Sequence, residues 1–190
     1  MSLRPLRLGA FGAVLVGALL LVLGFTAGNG GGAFDEEASR LTGASGPRLE
    51  IPEIGLTADL KGGSVTSAGK VDPPAGTAMW LQGFDRVRPG TEGTAIVAGH
   101  LEHSGKDDIF AKLPKLRVGQ QFDVVAGEAN LTFEIKRTQV VDKVALTGDD
   151  VVWGENTSTR RIVLITCDDE LGYRKDGHRV ANYVVVAEAV

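Results

Sequence analysis

Internal disulfides are excluded at once: the 190-residue chain has one cysteine, Cys167, and a lone thiol cannot close a bridge within its own chain. Such a residue is buried and inert, paired with another chain, or reactive. Basic charge is also short. The net charge is −4, no basic stripe is interleaved with aromatics, and no nucleic-acid-binding motif is present, so nothing argues for a nucleic-acid partner. Aromatics make up only 6% of the residues, and there are only three histidines. Neither an internal repeat nor a cofactor motif is visible. What the chain has instead is glycine, 26 residues of it, and short runs of Val and Ile after residue 90 that point to strands. This length can bury a sizeable core without disulfides and fits one domain plus an accessory segment.

A single apolar run is long. Leu8 to Ala27 carries no charge, follows Arg4 and Arg7, and precedes Asp35, Glu36 and Glu37. About 20 apolar residues suffice to cross a bilayer as a helix. Basic residues before the span orient the N-terminus inward and the rest of the chain outward. The rival reading is a cleaved signal peptide, with small residues at Thr26-Ala27-Gly28 and Gly32-Ala33, but its apolar region would run only roughly 7–15 residues. Either reading puts the remainder outside the cytoplasm. Residues 1–27 are therefore expected to form a membrane anchor. Residues 28–47, with the glycine run Asn29 to Gly32, are expected to be a flexible linker, with room for a short acidic helix from Asp35 to Leu41. The globular domain is expected over 48–190.

Within it the pattern is mainly β. Leu49 and Ile51 alternate with polar neighbours up to Pro52, which marks a strand end. Thr94 to Gly99 is an apolar run that ends at His100. Phe110, Leu113 and Leu116 share one face of a short helix that Pro114 limits. Gln121 to Ala126 reads as a strand. Asn130 to Gln139 reads as a clear one, with Leu131, Phe133 and Ile135 facing one way. Arg161 to Thr166 is a strand that delivers Cys167 at its end, and Val180 to Val190 is the last strand. Many short strands with one or two short helices predict a closed β-barrel.

Three residue types carry candidate chemistry. Cys167 sits where a rigid strand meets the polar Asp168-Asp169-Glu170, a reachable place for a nucleophile, although those acids disfavour a thiolate and call for a nearby cation. A thiol also needs a base, or an imidazolium partner, and later an acid for the leaving amine; His100, after Ala98-Gly99, suits both tasks near neutral pH. His103 reads as solvated. Arg179, at the start of the last strand, is suited to an oxyanion or a substrate carbonyl, with Arg161 and Arg174 as rivals. Against this stand plainer roles: a semi-buried core cysteine, a structural histidine, a surface arginine.

Taken together, these residues resemble a known family. Arg48 to Leu56, Gly93-Thr94-Ala95-Ile96-Val97-Ala98-Gly99-His100, the Phe110, Leu113, Leu116 and Gly119 set, Leu164-Ile165-Thr166-Cys167, and Arg179 twelve residues later before a Val-rich strand resemble the sortases of Gram-positive bacteria. The similarity is greatest to the short one-domain actinobacterial kind called class F. Val163 stands where the family signature opens with Thr, and the spacing from Arg179 to the final valines is one residue longer than the pattern.

The resemblance implies a closed eight-stranded β-barrel, preceded by the N-terminal transmembrane helix, with a groove at one end. It implies a cysteine transpeptidase. Cys167 would attack the Thr–Gly bond of a sorting signal similar to Leu-Pro-x-Thr-Gly on a surface protein, and a thioacyl enzyme would form. A peptidoglycan-precursor or pilin amine would then resolve it. His100 would act as acid and base, Arg179 would hold the carbonyl or oxyanion, and Thr166 would touch substrate. No metal is expected, although Asp149, Asp150, Asp168 and Asp169 are acidic pairs of the kind some sortases use for calcium.

Two other readings use the same residues. His100, His103 and Cys167 offer three zinc ligands at loose spacing. A non-enzymatic, membrane-anchored surface domain that binds a wall component or a protein partner would keep Cys167 in its core.

Overall fold

The computed structural model describes residues 30–40 and 45–190. The apolar run Leu8 to Ala27, expected to be a membrane anchor, lies outside the described residues; among those described, no helix is long and apolar enough to cross a membrane. The chain begins with helix α1 (Gly30–Arg40) and continues through β1 (Ser45–Ile51), β2 (Leu56–Gly63), β3 (Met79–Leu81) and β4 (Gly93–Ala98). A small hairpin follows, β5 (Glu102–His103) and β6 (Lys106–Asp107), then β7 (Gln121–Ala126) and β8 (Ala129–Asp142). Two four-residue helices, α2 (Lys143–Leu146) and α3 (Asp150–Trp153), lead into β9 (Arg160–Tyr173) and β10 (Arg179–Ala189).

Eight of these strands close a barrel in the order β1-β2-β3-β4-β9-β10-β8-β7. The expected mainly-β closed barrel is what forms. All its pairings are antiparallel except β2 with β3 and β4 with β9. Strand alternation decides which side chains fill it. Leu49, Leu60, Trp80, Val97, Val124, Ile135, Leu164 and Val185, from all eight strands, join one buried cluster in the interior. Phe122 and Phe133 pair across β7 and β8 and stack inside it at 5.8 Å, and Val124 faces Leu131.

A second, smaller cluster covers the outer face of the same sheet. Ile96 of β4, Val163 of β9, and Val184 and Val186 of β10 pack there under Leu146 of α2 and Val152 of α3. β9 is therefore apolar on both faces, which explains its near-continuous hydrophobic run. Helix α2 starts where Asp142 accepts from the amides of Val144 and Ala145, and α3 where Asp149 accepts from those of Val151 and Val152. Arg86 donates to the carbonyls of Val152 and Trp153, fastening α3 to the loop before β4.

Two local expectations change. The helix anticipated around Ile109 to Leu116 is a single 3-10 turn, Leu113–Lys115, because Pro114 lacks a donor; Phe110, Leu113 and Leu116 still share a fully buried face. In the stretch read as a flexible linker, residues 30–40 form α1. Phe34 and Ala38, one turn apart, bury against the barrel, and Arg160 grips Asp35 with two bonds of 2.8 Å. Gly90 makes room for the Phe34 ring in a left-handed conformation (φ 95°). Helix α1 thus sits at the barrel end where β4 and β9 begin.

Candidate functional site

The site is built by the parallel pairing of β4 with β9. Ala98 lies opposite Ile165, and the amide of Gly99 donates to the Ile165 carbonyl at 3.1 Å. Two residues beyond this pair come His100, just past the end of β4, and Cys167, still on β9. A side-chain period of two puts Cys167 on the outer face that carries Ile165. On its other side Cys167 pairs with Asn182 of β10. The site thus occupies the opposite end of β4 and β9 from α1, and residues 30–40 do not cover it.

Cys167 is not the last residue of its strand, as the sequence suggested. β9 runs on to Tyr173 because backbone pairing with β10 extends through the acidic stretch. The register is nonetheless broken there. Asp168 pairs with Ala181, but the next pair is Tyr173 with Arg179, so β9 carries three more residues than β10 over this interval. Cys167 therefore stands at the end of the regular ladder, one residue before an irregularity of the kind that re-aims side chains.

The thiol is half-buried and unbridged, and Lys143 Nζ lies 3.7 Å from its Sγ. His100 is also half-buried. Its Nε2 lies 2.7 Å from the Pro73 carbonyl and 3.9 Å from Asp72 Oδ1. A carbonyl only accepts, so Nε2 carries a proton in this arrangement. The glycine before His100 serves a close approach, as expected, but of the protein itself: a Cβ on Gly99 would stand 2.7 Å from Ile109 and Phe110.

Arg179 opens β10 as expected but faces Tyr173 in the pairing, three residues from Asn182 and so about 10 Å along the strand from the position opposite Cys167. Its guanidinium bonds Asp169 through Nε and Glu102 through Nη2, the latter at 3.0 Å, and lies over the Tyr173 ring. Arg179, and then Tyr173, hold the Asp169 carboxyl below the usual carboxylate range. The bond to Asp169 pushes the Tyr173 phenol up. The rival arginines are placed differently: Arg161 pairs with Glu188 at the far end of β9, and Arg174 with Asp176 in the β9–β10 loop.

Thr166, expected to touch substrate, is 2% exposed. Alternation turns it toward the interior with Ile162 and Leu164, away from the face of Cys167, and its hydroxyl has no partner among the described residues. Three of the four acidic residues considered for calcium are engaged locally. Asp149 caps α3 and pairs with Arg137 at 2.7 Å, Asp168 accepts from the Glu170 amide, and Asp169 holds Arg179. The His100 and His103 rings lie 5.7 Å apart, and among the described residues no three of His, Cys, Asp and Glu are grouped to hold a metal ion. A depression of about 710 Å³ lies elsewhere, beside α1 at Asp35, Arg88 and Glu92.

Lys143 is the residue of this site that sequence reasoning missed. Nothing in its local pattern marks it; only the register, in which Asn182 pairs with both Val141 and Cys167, brings it across.

A half-buried thiol with an imidazole in the turn after the neighbouring strand and a lysine ammonium nearby is equipped for acyl transfer through sulfur. Comparison with known proteins agrees. The sortase domain family matches residues 49–190, and the chain belongs to the sortase family, whose members are cysteine transpeptidases. Its fold is shared with sortase A of Listeria monocytogenes, at 21% identity and a TM-score of 0.57 over 78% of this chain and 88% of that one. It is shared also with a sortase D5 transpeptidase of Clostridium perfringens (18% identity, TM-score 0.58, 84% of this chain and 88% of that one). The SrtA sortase of Actinomyces oris gives 16% identity and a TM-score of 0.58 over 79% of this chain and 83% of that one. No curated protein matched by sequence.

Proposed function

We propose that this sortase cleaves a C-terminal sorting signal similar to Leu-Pro-x-Thr-Gly between Thr and Gly and passes the freed acyl group to a cell-wall or pilin amine. The Cys167 sulfur attacks the Thr carbonyl carbon, and an oxyanion forms. Its collapse breaks the C–N bond, and His100 delivers a proton to the departing Gly amine. An incoming amine then attacks the thioester and gives its proton to His100, the C–S bond breaks and the thiolate leaves. Arg179 stabilises the oxyanion or orients the signal. The observation that supports this reading is the β4–β9 register, in which Ala98 lies opposite Ile165, two residues before His100 and Cys167 respectively, in a chain of the sortase family.

The proposal includes an enzyme held at the membrane by residues 1–27, with its barrel outside the cytoplasm. The uncharged run Leu8 to Ala27, preceded by Arg4 and Arg7, supports this. The test is a panel of Leu-Pro-x-Thr-Gly peptides incubated with the purified chain and an amine acceptor, with products read by mass spectrometry. Peptide joined to the acceptor after loss of Gly is expected. Intact peptide throughout the panel, with a folded chain, contradicts the proposal.

A further inference from the structure

The nucleophile's surroundings contain more than the family signature supplies. Cys167 is followed by two aspartates, of which Asp169 is committed to Arg179. Arg179 in turn has its guanidinium taken up by Asp169 and Glu102. A guanidinium paired with two carboxylates presents little net positive charge to a thiolate. Among the described residues the cation at hydrogen-bond range of the sulfur is Lys143, with Nζ 3.7 Å from Sγ.

That contact is set by the fold. Asn182 of β10 pairs with Cys167 on one side and Val141 of β8 on the other, so Val141 and Cys167 flank the same residue on the same outer face. Lys143 lies two residues beyond Val141, at the first position of α2. The helix start is pinned by Asp142, whose carboxylate accepts from Val144 and Ala145 at 2.8 and 3.1 Å, and by Leu146, which is buried in the outer cluster. Asp142 is thereby engaged in capping, and Lys143 has no ion pair among the described residues. Among the described residues its side chain makes a hydrogen bond to Cys167.

We infer that Lys143 is a further catalytic residue: its ammonium holds the Cys167 sulfur as the thiolate and shields it from Asp168. The nearby groups that bear on this sulfur are Lys143 and Asp142 at the β8–α2 junction, His100 beyond β4, Asp168 and Asp169 on β9, and Arg179 on β10. Of these, Lys143 alone makes a polar contact with it. As the C–S bond forms, the negative charge moves from the sulfur to the carbonyl oxygen, and the same ammonium is left beside that oxyanion until it collapses to the thioester. The inference rests on Cys167 being the nucleophile.

The test is the rate at which iodoacetamide alkylates Cys167 in the folded full-length chain, measured from pH 5 to 11 for wild type, Lys143→Met and Lys143→Arg. Methionine keeps most of the stem volume and removes the charge. Losing a cation that favours the thiolate lowers the thiolate fraction near neutral pH, and after the greater nucleophilicity of the remaining sulfur is counted the net loss of rate there is about threefold. At high pH, where both thiols are ionised, the order reverses and Lys143→Met reacts faster. That crossover, with Lys143→Arg restoring the wild-type profile, is expected, and a merely structural role does not produce it. Superimposable profiles for wild type and Lys143→Met overturn the role of Lys143 while leaving Cys167 as the nucleophile. A wild-type Cys167 that resists alkylation throughout overturns both readings.

Discussion

The amide of Gly99 donates to the carbonyl of Ile165 at 3.1 Å, and this bond carries the β4–β9 register one residue past β4, to the residue before His100 and two before Cys167. β4 and β9 are parallel, so their C-terminal ends come together, and both chemical groups are delivered to the same end of the barrel. The close packing of Gly99 on Phe110 holds the turn after β4 in place.

Cys167→Ala removes a half-buried sulfur outside the main core and is expected to abolish transpeptidation while leaving the circular dichroism and melting temperature near wild type. His100→Ala is expected to cost about 10²–10⁴-fold in kcat/KM, the range for a general acid–base residue. A His100→Ala enzyme of near-normal rate would assign the proton transfer to another group.

Gly99→Ala places a methyl 2.7 Å from Phe110, which is fully buried and cannot yield. It is expected to destabilise the fold by about 1–3 kcal/mol and to lower kcat further by displacing His100. Urea unfolding and steady-state kinetics on the same preparation separate the two effects. Unchanged activity would show that His100 tolerates movement of its turn.

Arg179→Ala is expected to cost roughly 2–4 kcal/mol of transition-state stabilisation, the range for losing an oxyanion donor. Asp169→Asn and Glu102→Gln leave the guanidinium in place but loosen its aim. They are expected to give smaller losses that appear mainly in kcat/KM. If both carboxylate variants were as damaged as Arg179→Ala, the triad would be acting as one unit.

Asp35 and Arg160 tie α1 to the barrel, and Arg160 holds the Asp35 carboxyl below its ordinary value. A carboxylate depressed in the folded state contributes stability that is present above the ordinary value of about 3.9 and is lost as pH falls through the lower, folded one. Helix α1 is therefore expected to stay docked at neutral pH and to loosen only in strong acid, with Asp35→Asn reproducing the acid behaviour at pH 7. The Phe34 ring resonances report this by NMR. A Phe34 environment unchanged in Asp35→Asn would assign the docking to apolar burial alone.

Much of the barrel is written in side-chain periodicity. Leu131, Phe133 and Ile135 alternate cleanly, and the apolar runs before His100 and Cys167 mark the strands that carry them. What escaped has physical causes. β9 is apolar on both faces, so its sequence does not say which side Thr166 takes, and that residue turned inward. The extension of β9 through Asp168 to Tyr173 rests on backbone hydrogen bonds, which leave no trace in side-chain pattern. Lys143 meets Cys167 only across two strand pairings. The docking of α1 hangs on Phe34 and Asp35 in a stretch whose glycines read as flexible.

The most direct test of the central claim is the intact mass of the chain trapped during reaction with a Leu-Pro-x-Thr-Gly peptide in the absence of acceptor amine. An adduct equal to the peptide without its Gly leaving group, mapped to Cys167, removed by hydroxylamine and absent from Cys167→Ala, is the predicted result. An adduct at another residue, or peptide cleavage that persists in Cys167→Ala, would contradict the account.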